Sequence, residues 1–239
     1  MKKHFFYLLL FCLPLCLSGQ LVFDPTQQIS LYTSQLASRT GNMPIFNLGY
    51  DNIKGSPFTI DDYCDGTVWM TKNRKFTEGY QFKYDETENV VRAKNLKTGL
   101  ELELLKEEVL ALKLDYNSQF IMYITTDIPN NVDGEKCLMQ VIYHSPNYCL
   151  LKRPSKSLEK VKGETLSQQE SYSIYKSNPD YYFRHKDKPY ERIKLSKKAL
   201  IAQLKNKETA LEKLFNTPEY KGVLTDWKVA KVLQSIDNQ

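Results

Sequence analysis

The residue types that most often carry catalysis or bind metals are sparse in this sequence. The chain has three histidines, and loss of His4 with an apolar leader would leave His144 and His185. Cys137, His144 and Cys149 fall within thirteen residues, but no second pair of Cys or His completes the ligand set that zinc requires. The sequence therefore predicts no metal site and no cofactor. We expect these three residues to be close only because they belong to one pair of strands.

The motifs of common enzyme classes are missing. The sequence contains no G-x-S-x-G, H-E-x-x-H, P-loop or G-x-G-x-x-G pattern. Asp61, Asp62 and Asp65 form an acidic loop without EF-hand spacing, so we interpret them as solvated turn residues. No catalytic residue is predicted. A glycosidase-like pair of carboxylates stays open, because the chain has 28 acidic residues from which such a pair could form.

The strongest indication of binding is an aromatic cluster between positions 172 and 190. A tyrosine ring offers an apolar face and a polar tip, which suits contact with a sugar or a protein. We predict a binding surface that contains Tyr172, Tyr175, Tyr181, Tyr182, Arg184 and Tyr190. The alternative is that these tyrosines only cover half-buried strand faces, since tyrosine is common in strands.

The first 20 residues have the layout of a secretory signal peptide. Lys2 and Lys3 precede an apolar run from Phe5 to Leu17, and Ser18-Gly19-Gln20 follows it. That run is 13 residues long, whereas a membrane-spanning helix needs about 20. We expect a signal peptide over residues 1–20 and an exported mature chain, periplasmic or secreted, without a transmembrane segment.

The charge balance argues against a nucleic-acid partner. The formal net charge is +5, and loss of Lys2 and Lys3 lowers it to 31 minus 28, or +3. A nucleic-acid-binding domain is normally far more basic. The expected partner is an envelope protein or a glycan, and the sequence leaves the oligomeric state open.

Three cysteines lie beyond the leader: Cys64, Cys137 and Cys149. The sequence His144-Ser145-Pro146-Asn147 is typical of a tight turn between two strands. If residue 144 faces residue 147, alternation places Cys137 and Cys149 on opposite faces of the hairpin, where a disulfide would require a bulge. We therefore predict buried free thiols.

Short runs rich in Val, Ile, Tyr, Phe and Leu recur from Gly66 to Arg153. They predict strands at Thr67–Thr71, Tyr80–Tyr84, Val90–Lys94, Leu100–Leu104, Val109–Leu114, Phe120–Thr126, Leu138–His144 and Tyr148–Lys152. The connections are too short for crossover helices, so an antiparallel sheet is favoured. Leu100–Leu104 alternates strictly, which favours a strand, although its residue types also fit a helix.

The C-terminal third combines strands and helices. Residues 154–171 are predicted to be an exposed polar connector, followed by strands at Tyr172–Tyr175, Tyr181–Arg184 and Tyr190–Leu195. Ser196 is expected to cap one helix that ends at Thr217-Pro218. Thr225 or Asp226 is expected to cap a second helix. Its apolar side would carry Trp227, Ala230, Leu233 and Ile236, and the lysines of both helices would face solvent.

The predicted fold class is mainly β, of the α+β type. We expect an antiparallel meander sheet, arranged as a sandwich or an open barrel, with C-terminal helices. Residues 21–57 form a partly irregular N-terminal segment, with a helix starting near Asp24-Pro25 and a loop from Asn42 to Pro57. Residues 58–153 form the β domain, and residues 154–239 pack on the same domain.

Two stretches resemble small exported proteins of Gram-negative bacteria to which no function is assigned. The first combines Gly55-Ser56-Pro57-Phe58, Gly66-Thr67-Val68 and Tyr80-Gln81-Phe82-Lys83-Tyr84-Asp85. The second combines Tyr181-Tyr182-Phe183, Ile193 and Ser196-Lys197-Lys198-Ala199-Leu200. The resemblance implies an exported β-rich fold with a helical C-terminus, and it implies no activity.

These observations favour a non-catalytic binding or accessory protein of the bacterial cell envelope. The alternative hypothesis is an exported hydrolase that uses scattered carboxylates.

Overall fold

The computed structural model describes residues 53–126, 137–161, 172–186 and 188–238. All of them belong to one compact unit, which spans Asn47–Gln239. The predicted signal peptide and the predicted helix near Asp24-Pro25 lie outside the described residues.

Fourteen described strands account for most of the fold. In chain order they are β1 (Ile53–Lys54), β2 (Gly66–Met70), β3 (Lys75–Phe76), β4 (Tyr80–Asp85), β5 (Val90–Asn95), β6 (Glu101–Leu104), β7 (Val109–Tyr116), β8 (Gln119–Thr126), β9 (Cys137–His144), β10 (Tyr148–Arg153), β11 (Lys156–Val161), β12 (Tyr172–Ser177), β13 (Asp180–His185) and β14 (Glu191–Ile193). All eleven predicted strands are present, with ends that differ by no more than two residues. The strand interpretation of Leu100–Leu104 is confirmed by β6, in which Leu102 is buried.

The largest sheet has eight strands in the order β14-β13-β10-β9-β8-β7-β2-β3. Every pairing in it is antiparallel, and the described strands leave it open rather than closed into a barrel. The predicted class, a mainly β fold built on an antiparallel meander with C-terminal helices, is confirmed.

A second sheet, β4-β5-β6, lies against one part of the large sheet. Alternation along β4 buries Tyr80, Phe82 and Tyr84. The Tyr84 ring contacts the Tyr123 ring of β8, with centroids 4.9 Å apart. The opposite face of this small sheet carries the charged side chains that form one wall of the site described below.

Three helices follow the strands: α1 (Lys197–Gln203), α2 (Glu208–Phe215) and α3 (Asp226–Asp237). They share a buried cluster with Leu150 of β10 and Phe183 of β13. The predicted caps are confirmed, because Ser196 Oγ accepts the N–H of Ala199 and Thr225 Oγ1 accepts the N–H of Lys228.

The predicted helices differ from the observed ones in two respects. The first helix is interrupted after Gln203 by the turn Lys205–Lys207, so it forms both α1 and α2. The predicted apolar side of the second helix is partly wrong, because Trp227 is exposed. The buried residues of α3 are Val229, Val232, Leu233 and Ile236.

A third sheet has the order β1-β12-β11. The prediction of an exposed connector is wrong for Lys156–Val161, which form β11, and residues 162–171 lie outside the described part. The predicted loop from Asn42 to Pro57 is wrong for Ile53–Lys54, which form β1 and pair in parallel with β12. The residues of β11 alternate only weakly between polar and apolar, so the local sequence does not indicate a strand. The strand forms because β11 pairs with β12.

The predicted register of the β9–β10 hairpin is wrong. Cys149 pairs with His144 and Leu150 with Tyr143, but Leu151 pairs with Val141 because a β-bulge shifts the register. Cys137 and Cys149 consequently pack in one cluster on the same face.

The prediction of buried thiols without a disulfide is nevertheless confirmed for Cys64, Cys137 and Cys149. Cys137 lies seven positions from His144, the partner of Cys149, which corresponds to about 20 Å along a strand. Distance along the strand, rather than opposite faces, separates these two thiols.

Candidate functional site

A pocket of about 490 Å³ lies between three chain segments. Its walls are the turn Gly55–Phe58, the β4–β5 hairpin from Asp85 to Arg92, and Tyr175 of β12. We call it the Arg92 pocket. Its lining combines the rings of Phe58 and Tyr175 with charged and hydroxyl groups, a composition that is common in small-ligand sites.

The Gly55–Phe58 turn has a geometry that its sequence explains. Gly55 has φ +81°, and a Cβ placed there would lie 3.7 Å from Tyr175 Cβ. Ser56 Oγ accepts the N–H of Phe58 at 3.2 Å. The carbonyl of Pro57 accepts the N–H of Glu86 at 2.9 Å, which fixes the turn to the hairpin.

Lys156 of β11 holds the same turn from the other side. Its Nζ donates to the carbonyl of Ser56 at 3.1 Å and also to the carbonyl of Phe58. Glu86 Oε2 lies 4.0 Å from this Nζ, and Glu86 Oε1 accepts the hydroxyl of Thr59 at 2.9 Å. The turn is therefore bonded to both the second and the third sheet, so its pocket-lining groups are fixed in position.

Asp85 organises the hairpin end of the pocket. Its side chain is almost fully buried, and Oδ1 accepts the N–H groups of Thr87 at 2.9 Å and Glu88 at 3.0 Å. Arg92 Nη2 lies 3.4 Å from Asp85 Oδ2 and 3.0 Å from Glu88 Oε2. Asp85 thus stabilises both the turn and the guanidinium, whereas the Glu88 carboxylate contacts only the guanidinium in these bonds.

Arg92 also begins a row of alternating cations and rings. Its guanidinium lies 5.5 Å from the Phe58 centroid, and Lys83 Nζ lies 4.8 Å from Phe58 and 4.6 Å from Tyr63. Lys94 Nζ lies 5.5 Å from Tyr63. Cation–π attraction of this kind holds the segment that contains Phe58 and Tyr63 against the outer face of β4 and β5.

One polar atom of this row has no partner. Arg92 Nε is buried and makes no hydrogen bond within the described structure. An unmade hydrogen bond of this kind costs on the order of 1–3 kcal/mol. Such a cost is unusual in a folded protein, because most buried polar atoms are hydrogen-bonded.

A smaller pocket of about 180 Å³ adjoins the first and shares Thr87 and Glu88 with it. Asn89 lines it with φ +56°, and its Oδ1 accepts the hydroxyl of Tyr84 at 2.7 Å. Burial raises the pKa of Tyr84 well above its usual value, so this hydroxyl stays protonated and donates.

The structure separates the predicted binding residues. Tyr175 lines the Arg92 pocket, and Tyr172 lies on the same strand beneath Lys54 Nζ at 4.0 Å. Tyr181 packs in the cluster under the helices, and its hydroxyl donates to Asp226 at 2.7 Å.

The remaining three lie on the other face of the large sheet from Tyr181. Tyr182 is buried, and Tyr190 packs against its cluster. The Tyr190 hydroxyl lies 3.4 Å from Cys149 Sγ, and Arg184 lies 4.9 Å from the Tyr190 centroid. The six residues therefore do not form one continuous surface, and only Tyr175 lines the Arg92 pocket.

The histidines and cysteines are also dispersed. His144 and Cys149 are paired across the bulged hairpin, while His185 stacks on Tyr148 with centroids 5.2 Å apart. Burial raises the pKa of the Cys149 thiol despite the opposing effects of Tyr190 and Arg184. Within the ranges that the structure describes, no three His, Cys, Asp or Glu side chains are grouped to hold a metal ion.

Only indirect signals in the sequence indicate this site. Gly55-Ser56-Pro57-Phe58 belongs to the resemblance described above, and the segment from Asp85 to Asn89 is typical of a turn. Neither pattern indicates that the two segments meet, because that contact depends on how the third sheet packs. Arg92 carries no motif that would have distinguished it from other surface cations.

No family model, curated protein or solved structure matches this chain. Among the described residues, no helix combines the length and the apolarity needed to cross a membrane.

Proposed function

We propose that this chain is an exported, non-catalytic binding or accessory protein of the bacterial cell envelope, and that the Arg92 pocket holds its partner, an envelope protein segment or a glycan. One observation carries the proposal. The pocket is lined by two aromatic rings, Phe58 and Tyr175, and by a guanidinium whose buried Nε makes no hydrogen bond within the described residues. Phe58 lies in a hydrogen-bonded turn, Tyr175 lies on β12, and Arg92 contacts two carboxylates. Fixed groups of this kind lose little conformational entropy when a ligand binds.

The alternative of a hydrolase gains no support from the same pocket. Asp85 and Glu88 are its two carboxylates, and both are engaged by Arg92. A general acid needs a carboxyl group that can exchange a proton with substrate. The observed contacts instead give Asp85 and Glu88 a role in holding the hairpin and Arg92.

Export is supported by the leader over residues 1–20, with its charged start and short apolar run. The intact mass of the native protein tests it. We expect a mass that lacks the leader, and a mass that includes Met1 would contradict export by this route.

The pocket assignment is tested with two matched substitutions. Thr87 lies in a turn in which Asp85 Oδ1 accepts the N–H groups at positions 87 and 88. Lys97 lies in an equivalent turn, in which Asn95 Oδ1 accepts the N–H groups at positions 97 and 98. Both side chains are exposed, but only Thr87 lines the pocket.

We expect immobilised native protein and Lys97→Trp to retain the same component of an envelope extract. Thr87→Trp should lose it, because the indole would occupy the pocket. Equal retention by Thr87→Trp, or retention of nothing by the native protein, would contradict the assignment.

A further inference from the structure

The outward stripe of α3 leaves a tryptophan in solvent. The exposed residues of this helix are Trp227, Lys231 and Gln234, spaced four and three residues apart, so they form one stripe opposite the buried side. Trp227 exposes 56% of its surface. A ring of this size is rarely left in water without a reason, because its burial is worth more than that of most side chains.

A second apolar side chain lies at the same end of the helix. Val223, which is 82% exposed, precedes the cap residue Thr225 by two positions. Lys228 Nζ donates to the carbonyl of Lys221 at 2.8 Å, which ties the loop that carries Val223 to the first turn of α3. Both exposed apolar side chains therefore lie at the start of one helix, four positions apart in the sequence.

Positive charge surrounds these two residues. Lys221 and Lys231 are exposed, and Lys228 is half-buried. The acid of the first helical turn, Asp226, is neutralised from the sheet side, where Lys152 Nζ lies 2.9 Å from its Oδ2. The nearest acidic residue before Asp226 in the sequence is Glu219, two positions before Lys221. The local balance is therefore basic.

We propose that the start of α3 docks reversibly on an anionic lipid surface, with Trp227 and Val223 entering the headgroup region and Lys221, Lys228 and Lys231 contacting the phosphates. Tryptophan prefers the membrane–water interface, where its ring is in an apolar layer and its N–H stays in a polar one. Lysines near an anionic surface each add attraction. Binding to such a surface strengthens with both buried apolar area and electrostatic attraction, and this end of α3 supplies both.

The protruding shape favours a lipid surface over a protein partner. Val223 and Trp227 expose most of their surface, so a protein would need a matching cavity, whereas a fluid headgroup layer deforms around projecting side chains. This docking surface is independent of the Arg92 pocket, so either assignment can fail without affecting the other.

The chain offers a sensitive local probe, since it has two tryptophans, Trp69 and Trp227. In a Trp69→Phe background, the emission of Trp227 is recorded with vesicles of phosphatidylcholine alone and with an equimolar mixture of phosphatidylcholine and phosphatidylglycerol. We expect a blue shift with the anionic vesicles only, and we expect added salt to reverse it. An unchanged spectrum, or an equal shift with both vesicles, would overturn the proposal.

Co-sedimentation with the same vesicles gives a second readout that leaves Trp69 in place. Trp227→Ser, or Lys221→Glu combined with Lys231→Glu, should weaken binding by about tenfold or more. The matched control is Phe120→Ser, since Phe120 is an exposed ring on β8 that lies beside Lys113 of β7. If Phe120→Ser weakens binding as much as Trp227→Ser, docking through α3 is wrong.

Discussion

The Tyr143 hydroxyl donates a hydrogen bond of 2.8 Å to Asp237 Oδ2, joining residues 94 positions apart. Asn147 Nδ2 donates to Asp237 Oδ1, also at 2.8 Å. Asp226 at the other end of α3 accepts the Tyr181 hydroxyl. The last helix is thus fixed to the large sheet at both ends by carboxylates, which explains why a short amphipathic helix is held in one orientation.

We expect Asp237→Asn to lower stability near neutral pH. Burial disfavours ionisation of Asp237, but hydrogen bonds from Ser145, Asn147 and Tyr143 outweigh it, so the pKa of Asp237 is lowered. The stability that this carboxylate adds is present above the unfolded pKa of about 3.9 and is lost as pH falls through the lower folded pKa. The expected loss is about 1 kcal/mol.

Urea unfolding of both proteins from pH 7 down to pH 3 measures this difference. The difference in unfolding free energy between the native protein and Asp237→Asn should become smaller as the pH approaches 3. A difference in unfolding free energy that stays constant from pH 7 to pH 3 would contradict an ionised Asp237 that accepts hydrogen bonds from Tyr143 and Asn147.

We expect Asp85 to be needed for folding of the hairpin rather than for a reaction. Asp85→Ala would leave two N–H groups without an acceptor and should cost about 2 kcal/mol. Asp85→Asn keeps an oxygen at that place and should cost less, since it loses mainly the attraction to Arg92. Denaturant midpoints of the three proteins decide this, and equal costs for Asn and Ala would contradict the turn role.

Gly66 is expected to tolerate no side chain. A Cβ at this position would lie 2.2 Å from the backbone carbonyl oxygen of Lys113 on the paired strand β7. Gly66→Ala should therefore separate β2 from β7 and destabilise the protein by about 1–3 kcal/mol. Gly79→Ala is an informative comparison, because no atom lies near its Cβ and its cost would come from φ +78° alone. Thermal unfolding of both variants measures the two costs, and a Gly66→Ala protein as stable as the native one would contradict the close approach.

We expect the buried tyrosines to limit stability in alkali. Burial raises the pKa of both Tyr84 and Tyr123 above that of an exposed tyrosine. A folded pKa above the unfolded value of about 10 gives stability that is present below pH 10 and lost as pH rises through the folded pKa. Tyrosinate absorbance should therefore show a late phase that coincides with unfolding by circular dichroism.

Tyr123→Phe should reduce that late phase, and it should cost about 1 kcal/mol at neutral pH because the bond of 3.1 Å from its hydroxyl to Thr59 is lost. Tyr116→Phe is the control, since Tyr116 is exposed. If all tyrosines ionise before any loss of structure, the burial of this pair is contradicted.

The strands and caps were predictable because their signals are local. Ser196 and Thr225 act as caps through contacts three residues away, and the alternation of β6 needs only its own residues. The hairpin register was not predictable, because the turn sequence determines neither that His144 pairs with Cys149 instead of Asn147 nor that a bulge follows opposite Leu150.

The candidate site was harder to predict than the fold. The Arg92 pocket joins residues from positions 53 to 175, and it depends on Lys156 of a strand that the sequence indicated as connector. The apolar side predicted for the last helix includes Trp227, because periodicity identifies a helix but does not determine which apolar residues at the edge of the stripe are covered. Long-range packing decided both outcomes.

The most direct test of the central claim is photo-cross-linking in intact cells. A photoreactive amino acid is placed at Thr87, inside the Arg92 pocket, and separately at Lys97, in the matched turn outside it. Mass spectrometry then compares the adducts. We predict one dominant adduct, with an envelope protein or a glycan, from position 87 and not from position 97. The same adducts from both positions, or none from position 87, would contradict a binding role for this pocket.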